Sequence, residues 1–343
     1  MASRFHTHTQ FRTDERVSVV VPVRDEALTI GRTLDDLLAQ SRRPDQIVFV
    51  DAGSNDGTGG AIARHPLAAA VPVRVVSAGP AYPGRARNLG VAASDGTWIA
   101  FTDGGVRLAP AWLATLTAAA AADPQAEAIA GDWDLDVATP FDRCLALLSA
   151  PTEGIARGAL RPPVVVSLLL RRDAWDRAGP FREDLRSAED RLFLTRLAAE
   201  CRVIRAPGRL VRWRPPVSAA AAWRRFRVYA RHNIRAGLFG EWQAPLLRRY
   251  ALAGAGAIAC AWWTPLPGAL AAVALWTVLL TARAAKTLYA NRGDGGGLRR
   301  SALDLARLVP LVALVDAATA MGTLDWLLRD AGRAPSRSSA GLY

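Results

Sequence analysis

A chain of 343 residues is longer than one ordinary domain, which excludes a mini-protein or a bare disordered tail. Apolar residues make up 51% and charged residues 22%, with mean hydropathy +0.10, so the chain sits at the greasy end of the globular class, where a membrane-attached segment is at home. The net charge of +12 is almost all arginine, with Lys286 the one lysine, a bias that weakens the charge as evidence for nucleic-acid binding; twelve arginines against the single acid Glu241 between Arg202 and Arg249 account for nearly all of it and mark one basic segment.

Residues 1–16 are polar, lack the apolar core of a secretory signal, and read as a disordered tail leading into a cytoplasmic folded part. Cys144, Cys201 and Cys260 lie far apart with no C-x-x-C spacing, which fits a reducing compartment without a disulfide framework or structural zinc. From Val17 the run V-S-V-V-V-P-V predicts a strand buried on both faces. Ile30, Leu34, Leu37 and Leu38 then predict a helix over 29–40, and Gln46 to Val50 a second buried strand. Val73 to Ser77, a helix around 85–93, and Trp98 to Thr102 continue the alternation. Three β-α repeats imply an α/β fold on a doubly wound, mostly parallel sheet, whose ligands bind at the carboxyl ends of the strands. Ala111 to Ala122 predicts an Ala-rich helix and Val164 to Leu170 another strand. A helix is expected over 187–197, with Ser187, Glu189 and Asp190 suiting its start.

After Pro216 the character changes. Trp223, Phe226, Ala230, Ile234 and Leu238 share one helical stripe, and Arg224, Arg225, Arg227, Arg231 and Arg235 take the other faces. Residues 216–249 thus read as a basic amphipathic helix, lying either in a membrane interface or against its own domain. Residues 250–282 hold no charged side chain, and Pro265, Pro267 and Gly268 interrupt them near the middle. A two-span hairpin and a re-entrant wedge both fit, and both leave Arg248, Arg249, Arg283 and Lys286 on one side. The third apolar run, Leu308 to Leu328, carries Asp316 and Asp325, which are costly against lipid, so it is expected to pack along the others or lie at the interface. The resulting division is a domain over 17–215, the basic helix over 216–249, transmembrane or re-entrant helices over 250–330, and a disordered tail over 331–343.

At the strand ends, V-D-A-G-S-N-D-G-T (50–58) puts Asp51 at the tip of a buried strand before a Gly-rich turn. An acid there can accept hydrogen bonds from a base or ribose, although the same residues also suit a plain turn. The first strand ends in P-V-R-D-E with no G-x-G-x-x-G, which argues against a dinucleotide cofactor. His6, His8, His65 and His232 show no metal-ligand spacing.

V-V-V-P-V-R-D-E, V-D-A-G-S-N-D-G-T, G-R-A-R-N-L-G, F-T-D-G-G and A-E-D-R-L-F-L-T-R-L, in this order over 17–197, resemble the motif series of family 2 glycosyltransferases with the GT-A fold. The resemblance implies that Pro22, Val23, Glu26 and Asp51 line a nucleotide pocket, that Arg85, Arg87 and Asn88 lie near the donor's diphosphate, and that Asp103 with Gly104 matches the start of the family's D-x-D. Asp103 would then share a divalent cation, Mg²⁺ or Mn²⁺, with the diphosphate. Two departures stand out. Ala52 takes the place of the second acid in D-D-G-S, and Gly105 that of the second acid in D-x-D, leaving a single carboxylate for the metal. Glu189 and Asp190 match the family's E-D pair, with Asp190 as general base in an inverting transfer, and Arg196 either orients that pair or faces solvent. The implied activity is transfer from a nucleotide-sugar, a UDP-sugar by expectation, to a hydroxyl on a lipid or membrane-borne acceptor at the cell membrane. Transfer to a polyprenyl phosphate and a catalytically silent nucleotide-sugar-binding membrane protein are the alternatives.

Overall fold

A computed structural model describes residues 15–149, 162–263, 265–290 and 298–332. Most of the two expected tails, 1–14 and 333–343 with His6 and His8, lies outside the described residues. Arg16 already belongs to the fold: its N–H donates to Thr97 Oγ1 at 3.1 Å and its carbonyl accepts from Trp98 N at 3.0 Å.

In chain order the elements are β1 (Val17–Val23), α1 (Ile30–Leu38), β2 (Gln46–Asp51), α2 (Thr58–Arg64), α3 (Leu67–Ala70), β3 (Val73–Ser77), α4 (Pro83–Ala92) and β4 (Trp98–Phe101). Next come β5 (Arg107–Leu108), α5 (Trp112–Ala122), β6 (Ala128–Leu135), α6 (Pro140–Ser149), β7 (Leu168–Arg171), α7 (Arg172–Ala178), α8 (Glu189–Glu200) and β8 (Val203–Trp213). The helices α9 (Ala219–Arg235), α10 (Phe239–Trp263), α11 (Pro265–Ala290) and α12 (Leu298–Arg329) complete the described chain. The chain divides into two units, one of 1–136 with 157–213 and the other of 137–156 with 214–343.

The first unit is built on an eight-stranded sheet in the order β3-β2-β1-β4-β7-β6-β8-β5. Its β3-β2-β1-β4 half is parallel throughout, as the β-α alternation predicts. The other half is mixed, because β7 runs antiparallel to both β4 and β6. The run expected as a strand over 164–170 opens instead as a 3₁₀ turn at Val165–Ser167 before β7 begins. Val17, Val19, Val20 and Val21 of β1 are fully buried, as are Ile47 to Val50 of β2. Phe101, Trp175, Phe181 and Phe193 form an aromatic cluster beside them, with ring centroids 4.2–5.8 Å apart.

In the second unit α10 ends at Trp263 and α11 begins at Pro265, so the Pro-Leu-Pro-Gly of the expected break opens α11, and Thr264 lies outside the described residues. Two helical segments, Pro267–Ala290 and Ala302–Arg329, are long and apolar enough to cross a membrane. Leu270, Val273 and Val278 of α11 are exposed apolar side chains. The acids of α12 do not face outward. Asp304 pairs with Arg143 of α6, Asp316 with Arg283 of α11 and Asp325 with Arg227 of α9 at 2.5 Å, and just past the helix the half-buried Asp330 pairs with Arg231 of α9 at 2.6 Å. Tyr250 of α10 also donates to Asp316 at 2.5 Å. Each buried carboxylate thus has an arginine from another helix, as desolvated charge requires. Gly322 lets α12 approach α9, since a Cβ there would collide with the Arg227 carbonyl.

Candidate active site

β1 and β2 run in register with Pro22 opposite Val50 and Val23 opposite Asp51, so the two loops that follow leave the sheet side by side. Four hydrogen bonds lace them together: Asp25 N to Ser54 Oγ at 3.0 Å, Asn55 N to Asp25 Oδ1 at 3.0 Å, Glu26 N to Thr58 Oγ1 at 2.8 Å, and Ala27 N to Asp56 Oδ2 at 2.8 Å. Asp51 Oδ1 accepts from Ser54 N at 2.8 Å. Many polar residues of the 50–58 segment therefore shape the loop, and the hydroxyls of Ser54 and Thr58 do work that the sequence did not single out. On the other side of β1, Gly104 N donates to the Pro22 carbonyl at 3.2 Å, extending the β4 edge through the D-G-G turn. Pro22, Val23, Glu26, Asp51, Asp103 and Gly104 thus lie along one carboxyl edge. Burial pushes the Glu26 carboxyl above its ordinary value; a hydrogen bond from Thr29 opposes the shift, and Asp103, Asp56 and Asp25 add to it.

At the centre stands Arg87, on α4 and 4% exposed at its side chain. One terminal nitrogen donates to both oxygens of Asp103, at 2.8 and 3.1 Å, and the other to Glu189 Oε1 at 2.9 Å. Its guanidinium also lies 5.4 Å from the centroid of the Phe181 ring. Burial works against its charge, but Asp103 and Glu189 outweigh burial and hold the guanidinium above its ordinary range. The sequence placed Arg87, Asp103 and Glu189 in three separate motifs; the fold brings them into one bridge. Arg85 is exposed on the first turn of α4. Asn88 is committed to the loop before α8, donating to the Phe181 carbonyl at 3.0 Å and to Glu183 at 2.9 Å while accepting from Phe181 N at 2.9 Å.

α8 begins differently from expectation. Ser187 makes no cap; the residue before the helix is Ala188, in the left-handed region at φ 70°, with no side-chain cap. A non-glycine residue held there costs about 1–3 kcal/mol, and this strained turn sends the next two side chains different ways. Glu189 turns inward to Arg87, with 5% of its surface exposed and Oε2 without a hydrogen-bond partner among the described residues. Asp190 stays half-exposed, its Oδ1 accepting from Arg191 N at 2.7 Å. Burial raises the Glu189 carboxyl above its ordinary value and Asp190 adds to the rise, while Arg87 opposes it. Arg196 neither orients this pair nor faces solvent alone: it donates to the carbonyls of Ala178 at 2.9 Å and Pro180 at 2.7 Å, fixing the loop after α7. Of the histidines, His65 contacts Asp35 at 3.1 Å and His232 is buried in α9.

Among the described residues no three His, Cys, Asp or Glu side chains gather as a ready-made metal cage. The oxygen donors still fit a hard cation, which takes one or two protein carboxylates and completes its shell with phosphate and water. A carboxylate has about four lone-pair sites, so the two hydrogen bonds from Arg87 leave Asp103 able to ligate.

A sheet of this topology, with its acids gathered at the carboxyl edge, has the GT-A fold. Residues 18–136 match the family model described as Glycosyl transferase family 2, so the chain carries a family 2 glycosyltransferase domain and is a glycosyltransferase. Among solved structures the chain is similar to the mannosyltransferase PcManGT from Pyrobaculum calidifontis, in complex with GDP-Man and Mn²⁺, at 24% identity and TM-score 0.52, covering 95% of this chain and 90% of that one. It is also similar to S. aureus TarS 1-349 in complex with UDP, at 17% identity and TM-score 0.46, covering 90% and 92%. No curated protein matches the chain in sequence.

Removing the bridge has a defined cost. Arg87→Met leaves two carboxylates without their cation, and the loss expected for breaking a buried pair is about 3–5 kcal/mol near neutral pH. Without Arg87 the native Glu189 carboxyl rises further above its ordinary value of 4.5, so native protein binds more protons than unfolded protein in that window. The variant should therefore recover stability as pH falls through the raised native value, and stop recovering below the ordinary one. Denaturant titrations at a series of pH values measure both effects.

Proposed function

We propose that the chain catalyses an inverting transfer of a sugar from a nucleotide diphospho-sugar to a hydroxyl on a lipid or membrane-borne acceptor. The observation that carries this reading is the split at the start of α8. Arg87 takes Glu189 inward, and its neighbour Asp190 is left half-exposed, able to take up a proton. A base serves an inverting transfer on the acceptor side, taking the hydroxyl proton as oxygen attacks the anomeric carbon opposite the departing diphosphate. Glu189 is a positioning residue in this reading, since its accepting oxygen is already held by Arg87.

On the donor side, Asp51 and the laced loops after β1 and β2 suit the nucleoside, with Pro22 and Val23 forming the floor. Exposed Arg85 is free to meet a phosphate. Asp103 is the residue to hold Mg²⁺ or Mn²⁺ against the diphosphate, and a cation bound there would neutralise charge on the leaving group. UDP-sugars are the first donors to test, with GDP-mannose beside them because the similar mannosyltransferase is in complex with it.

The acceptor side rests on the second unit. Two helices long and apolar enough to span a bilayer, exposed apolar side chains on α11, and the exposed arginines Arg224 and Arg225 of α9 support attachment to a membrane whose headgroups are anionic. Catalysis would then occur on the cytoplasmic face.

Asp190→Asn should lower transfer by about 10²- to 10⁴-fold while leaving donor affinity unchanged, because it removes the proton acceptor and keeps the shape. Turnover with a nucleotide-sugar panel and membrane lipid extract, alongside calorimetric donor binding, measures the two separately; near-native turnover would remove Asp190 from the base role. Attachment is tested by washing membranes with high salt and then with carbonate. Salt screens arginine–headgroup attraction but not insertion, so the full chain should stay with the membrane through both washes and leave only in detergent.

A further inference from the structure

The D-G-G turn has one acid where a D-x-D would have two, and the space of the second is filled from elsewhere. Gly105 lies at φ 77°, where a side chain is strained, and a Cβ built on it would meet Glu26 Oε2 at 2.8 Å and Thr29 Oγ1 at 3.3 Å. A Cβ on Gly104 would likewise meet Glu26 Cγ at 3.3 Å and Val23 Cγ1 at 3.0 Å. The Glu26 side chain therefore runs along the turn and sets its carboxylate against the position from which an acid at 105 would project. The two glycines make room for it. Thr29 Oγ1 donates to Glu26 Oε2 and fixes the carboxylate in this place, while no protein donor among the described residues reaches Oε1. The backbone of Glu26 is held as well, by Thr58 Oγ1 at 2.8 Å, so the residue is fixed at both ends.

We infer that Glu26 supplies the second carboxylate of the divalent-cation site, taking the role that Gly105 cannot fill, and that Asp103 and Glu26 together hold Mn²⁺ or Mg²⁺ against the donor's diphosphate. This rests on the reading of Asp103 as a cation ligand given above. Two carboxylates from different strand ends, completed by phosphate oxygens and water, make an ordinary donor set for a hard six-coordinate ion. The arrangement also accounts for the departure at Gly105. An acid there would crowd a carboxylate already in position and set like charges side by side.

The test is Mn²⁺ binding to the full-length protein in detergent, read by electron paramagnetic resonance in the presence of saturating UDP and, separately, GDP, for wild type, Glu26→Gln and Asp103→Asn. Thermal unfolding is followed for each, and Glu26→Ala replaces Glu26→Gln if the latter does not fold. Both variants should weaken Mn²⁺ binding at least about tenfold, the lower end of what even an outer-shell change costs a metal site. Loss in Asp103→Asn with wild-type affinity in the Glu26 variant would overturn the role of Glu26 and leave the site at Asp103 intact. Wild-type affinity in both would overturn the cation site itself.

Discussion

A buried guanidinium shared by two carboxylates organises this protein. Arg87 comes from α4, Asp103 from the turn after β4 and Glu189 from the first turn of α8, three elements that lie far apart in the chain and are joined at this point by these ion pairs. Arg87 and Glu189 are both buried, so neither charge is tolerable without the other, while Asp103 joins them from a partly exposed position. The bridge gives a rigid line from the carboxyl edge of the sheet to the helix that carries Asp190. It is not fully satisfied: Arg87 Nε and Glu189 Oε2 are buried and have no hydrogen-bond partner among the described residues, which makes the bridge a place of retained polar cost rather than of maximal stability.

The elements around the bridge follow from keeping it in place. Aromatic rings back Arg87 from the side of Phe181, Asn88 and Arg196 hold the loop that leads into α8, and the left-handed Ala188 turns Glu189 inward while leaving Asp190 outside. Within the second unit the same physical demand produces a different pattern. There α12 carries three acids, Asp304, Asp316 and Asp325, into apolar surroundings, and each finds an arginine on α6, α9 or α11. Carboxylates on an apolar helix are affordable when their partners are built into its neighbours.

Much of this was legible from residue order. Buried β-branched runs located β1 and β2, the prolines at 265 and 267 marked the break between α10 and α11, and the acids in the last apolar run called for packing against partners. What eluded the sequence were the choices made by tertiary contact. Adjacent residues Glu189 and Asp190 are equivalent as letters, and only a cation more than a hundred residues upstream separates their surroundings. Ser187 has the chemistry of a helix cap, yet the strained turn at Ala188 takes the boundary from it. Arg196 looked close enough along the helix to serve the acids, but backbone carbonyls of the preceding loop claim it. The run at 164–170 has strand composition, and its first residues coil into a 3₁₀ turn before pairing begins. Gly105 read as a lost ligand, because the close approach of Glu26 is a property of the folded turn.

The central claim is that Arg87 and Glu189 act as one unit. A thermodynamic double-mutant cycle on unfolding, with Arg87→Met, Glu189→Gln and the two combined, measures it most directly. The account predicts a coupling of roughly 1–3 kcal/mol, with the double variant more stable than the sum of the single losses implies. Losses that add within about 0.3–0.5 kcal/mol, as independent sites do, would contradict it.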